Sequence, residues 1–259
     1  MTIWFSTNIP EMRAIATFNR VSTDIGDIQH RITTGQRINS GKDDPGGLII
    51  REGLRVDIKS INATQAGMTQ AENLMDVAAS GISQLIEILN GSPTDPSSGG
   101  WIKMLNDPGL TDEQKVAASI DFAALYNAVL DTTKYNGEKL LDGTVNKKYQ
   151  LGDGTNKLTV TIADLSLTAN TPSDLTEILE TITTAYGDLG LKQQIVATNQ
   201  RLLDSRLTSV TAAEGRISNA DIAIESSRMA RAELLAQNAM SSIMYTRNYA
   251  AFAVSSLFR

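Results

Sequence analysis

Two long stretches of the sequence carry an apolar residue at every seventh position. The first stretch contains Leu54, Ile61, Met68, Met75, Ile82 and Leu89. The second lies late in the chain and contains Ile182, Leu189, Val196, Leu203, Val210, Ile217 and Ile224. A seven-residue period places such side chains in one narrow seam along a helix, and only another helix covers that seam. The pattern therefore predicts two long helices that pair along a shared seam.

The length of these stretches predicts the shape of the molecule. At 1.5 Å of rise per residue, the first stripe would span roughly 54 Å and the second roughly 60 Å. A compact chain of this length would have a radius of gyration of only about 18 Å. Two such helices, running out and back with an insertion between them, predict a mainly α fold built as an elongated, antiparallel coiled-coil rod.

Both ends of the sequence are apolar, although chain ends are usually polar and frayed. Apolar residues at alternating spacings of three and four predict an amphipathic helix at each end. The polar faces of both helices carry Ser, Thr and Asn more often than charge. A single copy would cover these stripes poorly, so the simplest hypothesis is burial against neighbouring copies. The residues expected to drive self-assembly are Phe18, Val21, Ile25, Ile28, Ile32, Leu235, Ala239, Ile243 and Phe252.

A segment rich in Gly, Pro, Asn and Asp, residues 36–47, separates the first terminal helix from the first long helix. It superficially resembles a phosphate-binding loop. However, the interval from Gly35 to Gly41 is one residue too long, Asp43 replaces the magnesium-binding hydroxyl, and no strand precedes the segment. We interpret it as a structural connector, with contacts expected from Arg37, Asn39, Asp43 and Asp44.

The middle of the chain predicts a shorter helix and a β-hairpin. Residues 90–100, rich in Gly, Pro and Ser, end the first long helix. Thr111, followed by Gln114 three residues on, is typical of a capping box that opens a helix. Residues 147–163 have the pattern of two short strands around a turn of Gly, Asp and Asn. The spacing of that turn does not match a calcium loop, and turn chemistry explains the same residues.

Composition excludes several classes of function. The chain is 41% hydrophobic and only 5% aromatic, which is typical of a helix bundle. A net charge of -6 disfavours a phosphate-binding surface, so we expect no nucleic-acid partner. No stretch approaches the roughly 18 apolar residues that a membrane span needs, and the start of the chain lacks the pattern of a cleavable secretory signal.

Candidate catalytic chemistry is sparse. The chain has no cysteine, and its single histidine, His30, falls within the first terminal helix with no paired acid at a recognisable spacing. We therefore expect no catalytic, cofactor-binding or metal-binding residues and no enzymatic activity.

Four stretches, in order along the chain, resemble the sequence signatures of bacterial flagellins. They are residues 37–44 (RINSGKDD), residues 135–143 (YNGEKLLDG), residues 216–237, which begin RISNAD and end LLAQ, and residues 255–259 (SSLFR). They occur in the right order and are distributed along most of the chain, from residue 37 to residue 259, and we identify the chain as resembling a short flagellin.

The resemblance implies a domain organisation. Residues 1–45 and 218–259 would form the inner core domain of a filament, a domain that is disordered in the flagellin monomer and folds on polymerisation. Residues 46–217 would form the surrounding helical rod domain, with the hairpin around 147–163. Only residues 163–181 lie between the hairpin and the returning helix, so we expect no outer domains and a thin, smooth filament.

The resemblance also implies a function. The chain would be the structural subunit of the flagellar filament, a helical homopolymer that acts as the propeller for swimming. Its other partners would be the flagellar export apparatus and its chaperone, cap and junction proteins. The protein would be extracellular, exported by the flagellar type III system without a cleaved signal peptide. Two alternatives stay open: a hook-filament junction protein, which forms a short ring, and an enzyme or binding module on a helical rod.

Overall fold

A computed structural model describes residues 9–91, 99–152, 156–166 and 172–257. These residues form six helices and four short strands, so the predicted mainly α fold with a small β region is confirmed. In chain order, the elements are α1 (Ile9–Thr34), α2 (Pro45–Asn90), α3 (Trp101–Leu105), α4 (Asp112–Thr132), β1 (Lys134–Tyr135), β2 (Glu138–Lys139), β3 (Asn146–Leu151), β4 (Asn156–Thr161), α5 (Pro172–Ser218) and α6 (Ile222–Leu257).

The chain divides into two compact units. The first combines residues 1–56 with residues 210–259, and the second is the intervening segment, residues 57–209. The long helices α2 and α5 each contribute to both units. Only residues 162–171 separate β4 from α5, which is too few for an additional domain. None of the helices in the described part of the chain is long and apolar enough to cross a membrane.

In the second unit, α2 and α5 pair in opposite directions. Gln65 donates a hydrogen bond to Asp204 (2.7 Å), and Gln193 donates one to Asp76 (2.8 Å), so residue numbers rise along one helix as they fall along the other. The heptad positions of both helices are buried in this unit, and the set is Ile61, Met68, Met75, Ile82, Leu89, Ile182, Leu189, Val196 and Leu203. Burial of these side chains contributes hydrophobic stabilisation to the unit.

The second stripe ends earlier than the sequence pattern predicts. We expected it to continue to Ile224, but α5 stops at Ser218 and Ile224 lies exposed in the first turn of α6. The reason is a helix cap: the Asp221 carboxylate accepts hydrogen bonds from the amides of Ala223 (2.9 Å) and Ile224 (3.1 Å). An N-cap of this kind begins a new helix and so breaks the old one.

Helix α4 begins with the predicted capping box. The Gln114 amide donates to the Thr111 hydroxyl (3.3 Å), and the Thr111 amide donates to the Gln114 side chain (3.0 Å). Further along, the buried Tyr126 hydroxyl donates to the Leu165 carbonyl (2.7 Å) and ties α4 to the segment after β4. The Tyr126 contact therefore holds α4 against this segment.

Two antiparallel hairpins occupy the region between α4 and α5. The predicted hairpin is β3 with β4, in a register that places Asn146 opposite Thr161 and Leu151 opposite Asn156. The β1–β2 hairpin was not predicted. Its sequence signal is the Asn136-Gly137 pair, in which both residues have positive φ (51° and 85°), as the tight turn of a two-residue hairpin requires.

Candidate self-assembly surface

The first unit is built around the pairing of α1 with α6. Val21 and Ile28 of α1 and Ala232 of α6 form its buried core, and Ile25, Ile32, Met229 and Ala236 pack around them half-buried. Spacings of three and four place these residues on one face of each helix, as the sequence pattern predicts. The two terminal helices therefore use one apolar face each to bind one another within a single chain.

The residues that we expected to drive self-assembly fall into different environments. Val21, Ile28 and Ala239 are buried, whereas Phe18, Ile25, Ile32 and Ile243 are half-buried. Leu235 remains 49% exposed. The side chain of Phe252 lies outside the part of the chain whose side chains are described.

A second set of apolar side chains lies on the outer faces of the same two helices. The exposed residues of α1 are Ile9, Met12 and Ile15, and those of α6 include Leu234, Met240 and Met244. Met12 is 59% exposed and Met244 is 62% exposed. Exposed aliphatic side chains also occur on α2, α4 and α5, but those on α1 and α6 lie on two helices that pair with each other. A group of exposed apolar side chains is typical of a surface that contacts another protein.

A buried carboxylate joins the two terminal helices near the start of α6. Glu225 is only 4% exposed and accepts hydrogen bonds from Arg31 of α1 (3.1 Å) and Arg228 of α6 (2.7 Å). The two guanidinium groups compensate the cost of burying the carboxylate. This cluster fixes the register of α6 against α1.

The connector between α1 and α2 is bound to the connector between α5 and α6. The Arg37 amide donates to the Ser218 carbonyl (2.6 Å), and its guanidinium donates to the Ile217 carbonyl (2.9 Å). On the other side of this contact, the Ala220 amide donates to the Gly35 carbonyl (2.9 Å). A cation beside the last carbonyls of a helix also interacts favourably with the helix dipole.

The remaining connector residues hold their own turn. The Asp43 carboxylate accepts hydrogen bonds from the amides of Ser40 (2.9 Å) and Asn39 (3.1 Å), which lower the pKa of that carboxyl. The Asn39 side chain donates to the Gln36 carbonyl (2.9 Å). Asp44 caps α2 by accepting from the Gly47 amide (2.9 Å).

Sequence reasoning missed a further connector contact. Arg51, in the second turn of α2, is 6% exposed and donates to the Ile38 carbonyl. No motif marks this residue, because its partner is a backbone carbonyl brought close only by the fold. Three seam residues also belong to this unit, where Leu54, Val210 and Ile217 are half-buried.

The described residues offer little for chemistry. Within them, no group of three or more His, Cys, Asp or Glu side chains is arranged to hold a metal ion. His30 lies exposed on α1. What the first unit does present is an extended apolar surface on paired helices, which suits contact with other protein chains.

Comparison with known proteins matches both ends of the chain to one family. The family model for the bacterial flagellin N-terminal helical region matches residues 5–146, and the model for the bacterial flagellin C-terminal helical region matches residues 173–248.

Individual relatives agree with this assignment. Flagellin FljO of Caulobacter vibrioides is 26% identical, over 98% of this chain and 98% of its own length. A flagellin of Halalkalibacterium halodurans is also 26% identical, over 97% of this chain and 98% of its own length. The B-type flagellin of Pseudomonas aeruginosa is 29% identical, but the match covers 59% of this chain and 31% of that longer protein. The chain therefore belongs to the bacterial flagellin family, whose members are structural subunits of the flagellar filament.

Proposed function

We propose that this flagellin polymerises through the outer faces of α1 and α6, which neighbouring copies cover in the filament. The proposal rests on the observation that each terminal helix carries apolar residues on two faces, one paired within the chain and one exposed. Their inner faces pair within the chain, and large aliphatic side chains such as Met12, Leu234 and Met244 stay on the outer faces.

The small core of the first unit supports coupling between folding and assembly. In α1, a helix of 26 residues, only Val21 and Ile28 are buried. Fixing the backbone of each residue opposes folding, so a helix with so few buried side chains gains stability mainly from further burial. Contact with neighbouring copies would supply that burial, and the predicted residues Phe18, Ile25, Ile32, Leu235 and Ile243 would then be more fully covered.

The domain roles follow from the same proposal. Residues 1–45 and 218–259 would form the filament's inner core, and residues 46–217 the rod around it. The connector residues Arg37, Asn39, Asp43 and Asp44 would join the inner core to the rod. The protein would act as a passive mechanical element without enzymatic activity.

The family also suggests how the subunit reaches its place. The protein would leave the cell through the flagellar export apparatus without a cleaved signal peptide, assisted by a chaperone. It would assemble outside the cell between junction and cap proteins. Secretion that depends on the export apparatus, in cells expressing this chain, would support this route.

Glutamine substitutions test the assembly surface. Met240 and Met244 lie one turn apart on α6, and glutamine preserves both side-chain length and helix propensity. We expect Met240→Gln/Met244→Gln to abolish seeded elongation, measured by sedimentation and negative-stain microscopy, while wild-type protein forms long filaments.

The matched control replaces two exposed polar residues of the same helix. Ser226→Gln/Ser242→Gln removes no apolar surface and should elongate like the wild type. Normal elongation by the methionine variant would contradict the proposed surface. Short rings from wild-type protein would instead indicate a junction protein.

A further inference from the structure

The second unit contains a groove of about 610 Å³ between α5 and the segment that follows β4. Three buried aliphatic residues, Ile82, Ile162 and Leu189, lie along its floor. Glu177 and Glu180 line it from exposed positions on α5. The groove therefore combines an apolar floor with an acidic edge.

The two glutamates have no counter-ion within the described residues. The third acid of the groove, Asp188, is paired with Lys192 (2.7 Å). No ion pair involving Glu177 or Glu180 occurs in the described parts of the chain. Residues three apart on a helix have Cβ atoms about 5–6 Å apart, so the two carboxylates form a compact negative pair.

The outer face of the β3–β4 hairpin carries a complementary pair of charges. Lys148 pairs in register with Thr159, and Lys157 pairs with Gln150, so both lysines project from the same face as diagonal neighbours. Their Cα atoms are therefore roughly 7–8 Å apart. Both are exposed, and neither forms an ion pair with any residue that the structure describes.

We propose that the groove of one copy receives the Lys148 and Lys157 face of a second copy. Lysine suits this groove because its aliphatic stem can cover the apolar floor while its ammonium group reaches the carboxylates of Glu177 and Glu180 at the edge. The lysine pair and the glutamate pair are both compact, so the long, flexible lysine side chains can reach the two carboxylates together. The occupant is a second copy because the same chain carries both charge pairs, and neither pair has an ion-pair partner among the residues that the structure describes.

The two surfaces are different, so the contact is heterologous. A heterologous contact repeats head to tail and yields an open polymer when its rotation does not close. The inference rests on the proposed function, because it adds a charged contact of the second unit to the apolar contacts through which the terminal helices would polymerise. Exposed charges of this kind fix orientation and register between partners.

Reversing the charges on each surface separately tests the contact, because mixing the two variants should restore the elongation that each one loses. Glu177→Lys/Glu180→Lys makes the groove repel the hairpin, and Lys148→Glu/Lys157→Glu makes the hairpin repel the groove. Because like charges at a contact disfavour association, we expect each variant alone to elongate wild-type seeds at least about tenfold more slowly. An equimolar mixture should recover most of the wild-type rate, because alternating copies restore attraction at every contact.

The control variant Asp57→Lys/Asp121→Lys changes the net charge as the groove variant does, at exposed positions outside the groove, and should elongate normally. Circular dichroism should show that all variants keep their helices. A groove variant that elongates like the wild type, or a mixture that fails to recover, would overturn the inference. Wild-type protein that never elongates would count against the proposed function itself.

Discussion

Single side chains in the connector hold the backbone of the first unit. Arg37 binds the end of α5, Asp43 closes its own turn, and the buried Arg51 reaches the Ile38 carbonyl. The sequence pattern marked Arg37 and Asp43 but could not assign their partners. A hydrogen bond to a backbone carbonyl depends on which segments meet in space, and Arg51 had no pattern to mark it.

The Asp43 turn should respond to acid in a defined direction. The amides of Ser40 and Asn39 lower the pKa of Asp43 below its ordinary value of 3.8. The folded-state pKa is the lower one, so these bonds stabilise the turn above pH 3.8 and are lost as the pH falls through the folded value. In an NMR titration, the Ser40 amide should shift with a midpoint below 3.8.

Asp43→Asn provides the control for this titration. Asparagine keeps an oxygen acceptor but cannot ionise, so the Ser40 amide should show no such transition. A midpoint at or above 3.8 in the wild type would contradict the role given to these two amides.

Among the elements, those with strong periodicity were predicted best. The seven-residue stripes correspond to α2 and α5, and the Thr111 capping box begins α4. The early end of the second stripe was missed because Asp221 caps a new helix while the heptad spacing continues through the break. The β1–β2 hairpin was missed because its strands have only two residues each and carry no alternating pattern.

The seam should dominate the stability of the second unit. Met75 lies on the buried face of α2 with no exposed surface, so Met75→Ala leaves a cavity and should lower the free energy of unfolding by about 2–5 kcal/mol. Urea denaturation followed by circular dichroism measures this loss.

An exposed aliphatic residue on α5 supplies the comparison. Leu202 is 63% exposed, and Leu202→Ala should change the free energy of unfolding by no more than about 0.5 kcal/mol. Equal losses in the two variants would mean that the heptad seam is not the core of the unit.

For the whole molecule, the sequence indicated that both ends are apolar. It did not indicate which of their apolar residues pack within the chain and which remain exposed. Periodicity finds a helix face that avoids water, yet it cannot say whether a neighbouring element or a neighbouring copy covers that face. The structure places Val21 and Ile28 inside the chain and leaves Met12 and Leu234 outside. The division between inner and outer faces is therefore a property of the α1–α6 pairing, which the sequence pattern alone does not contain.

The most direct test of this account is a cryo-electron microscopy reconstruction of filaments grown from the full chain, in which side chains at contacts between copies can be identified. We predict a long helical polymer in which Met12, Leu234 and Met244 are covered by neighbouring copies, while Val21 and Ile28 still pack against α6 of their own chain. A filament in which these outer residues face solvent, or an assembly that ends as a short ring, would contradict the account.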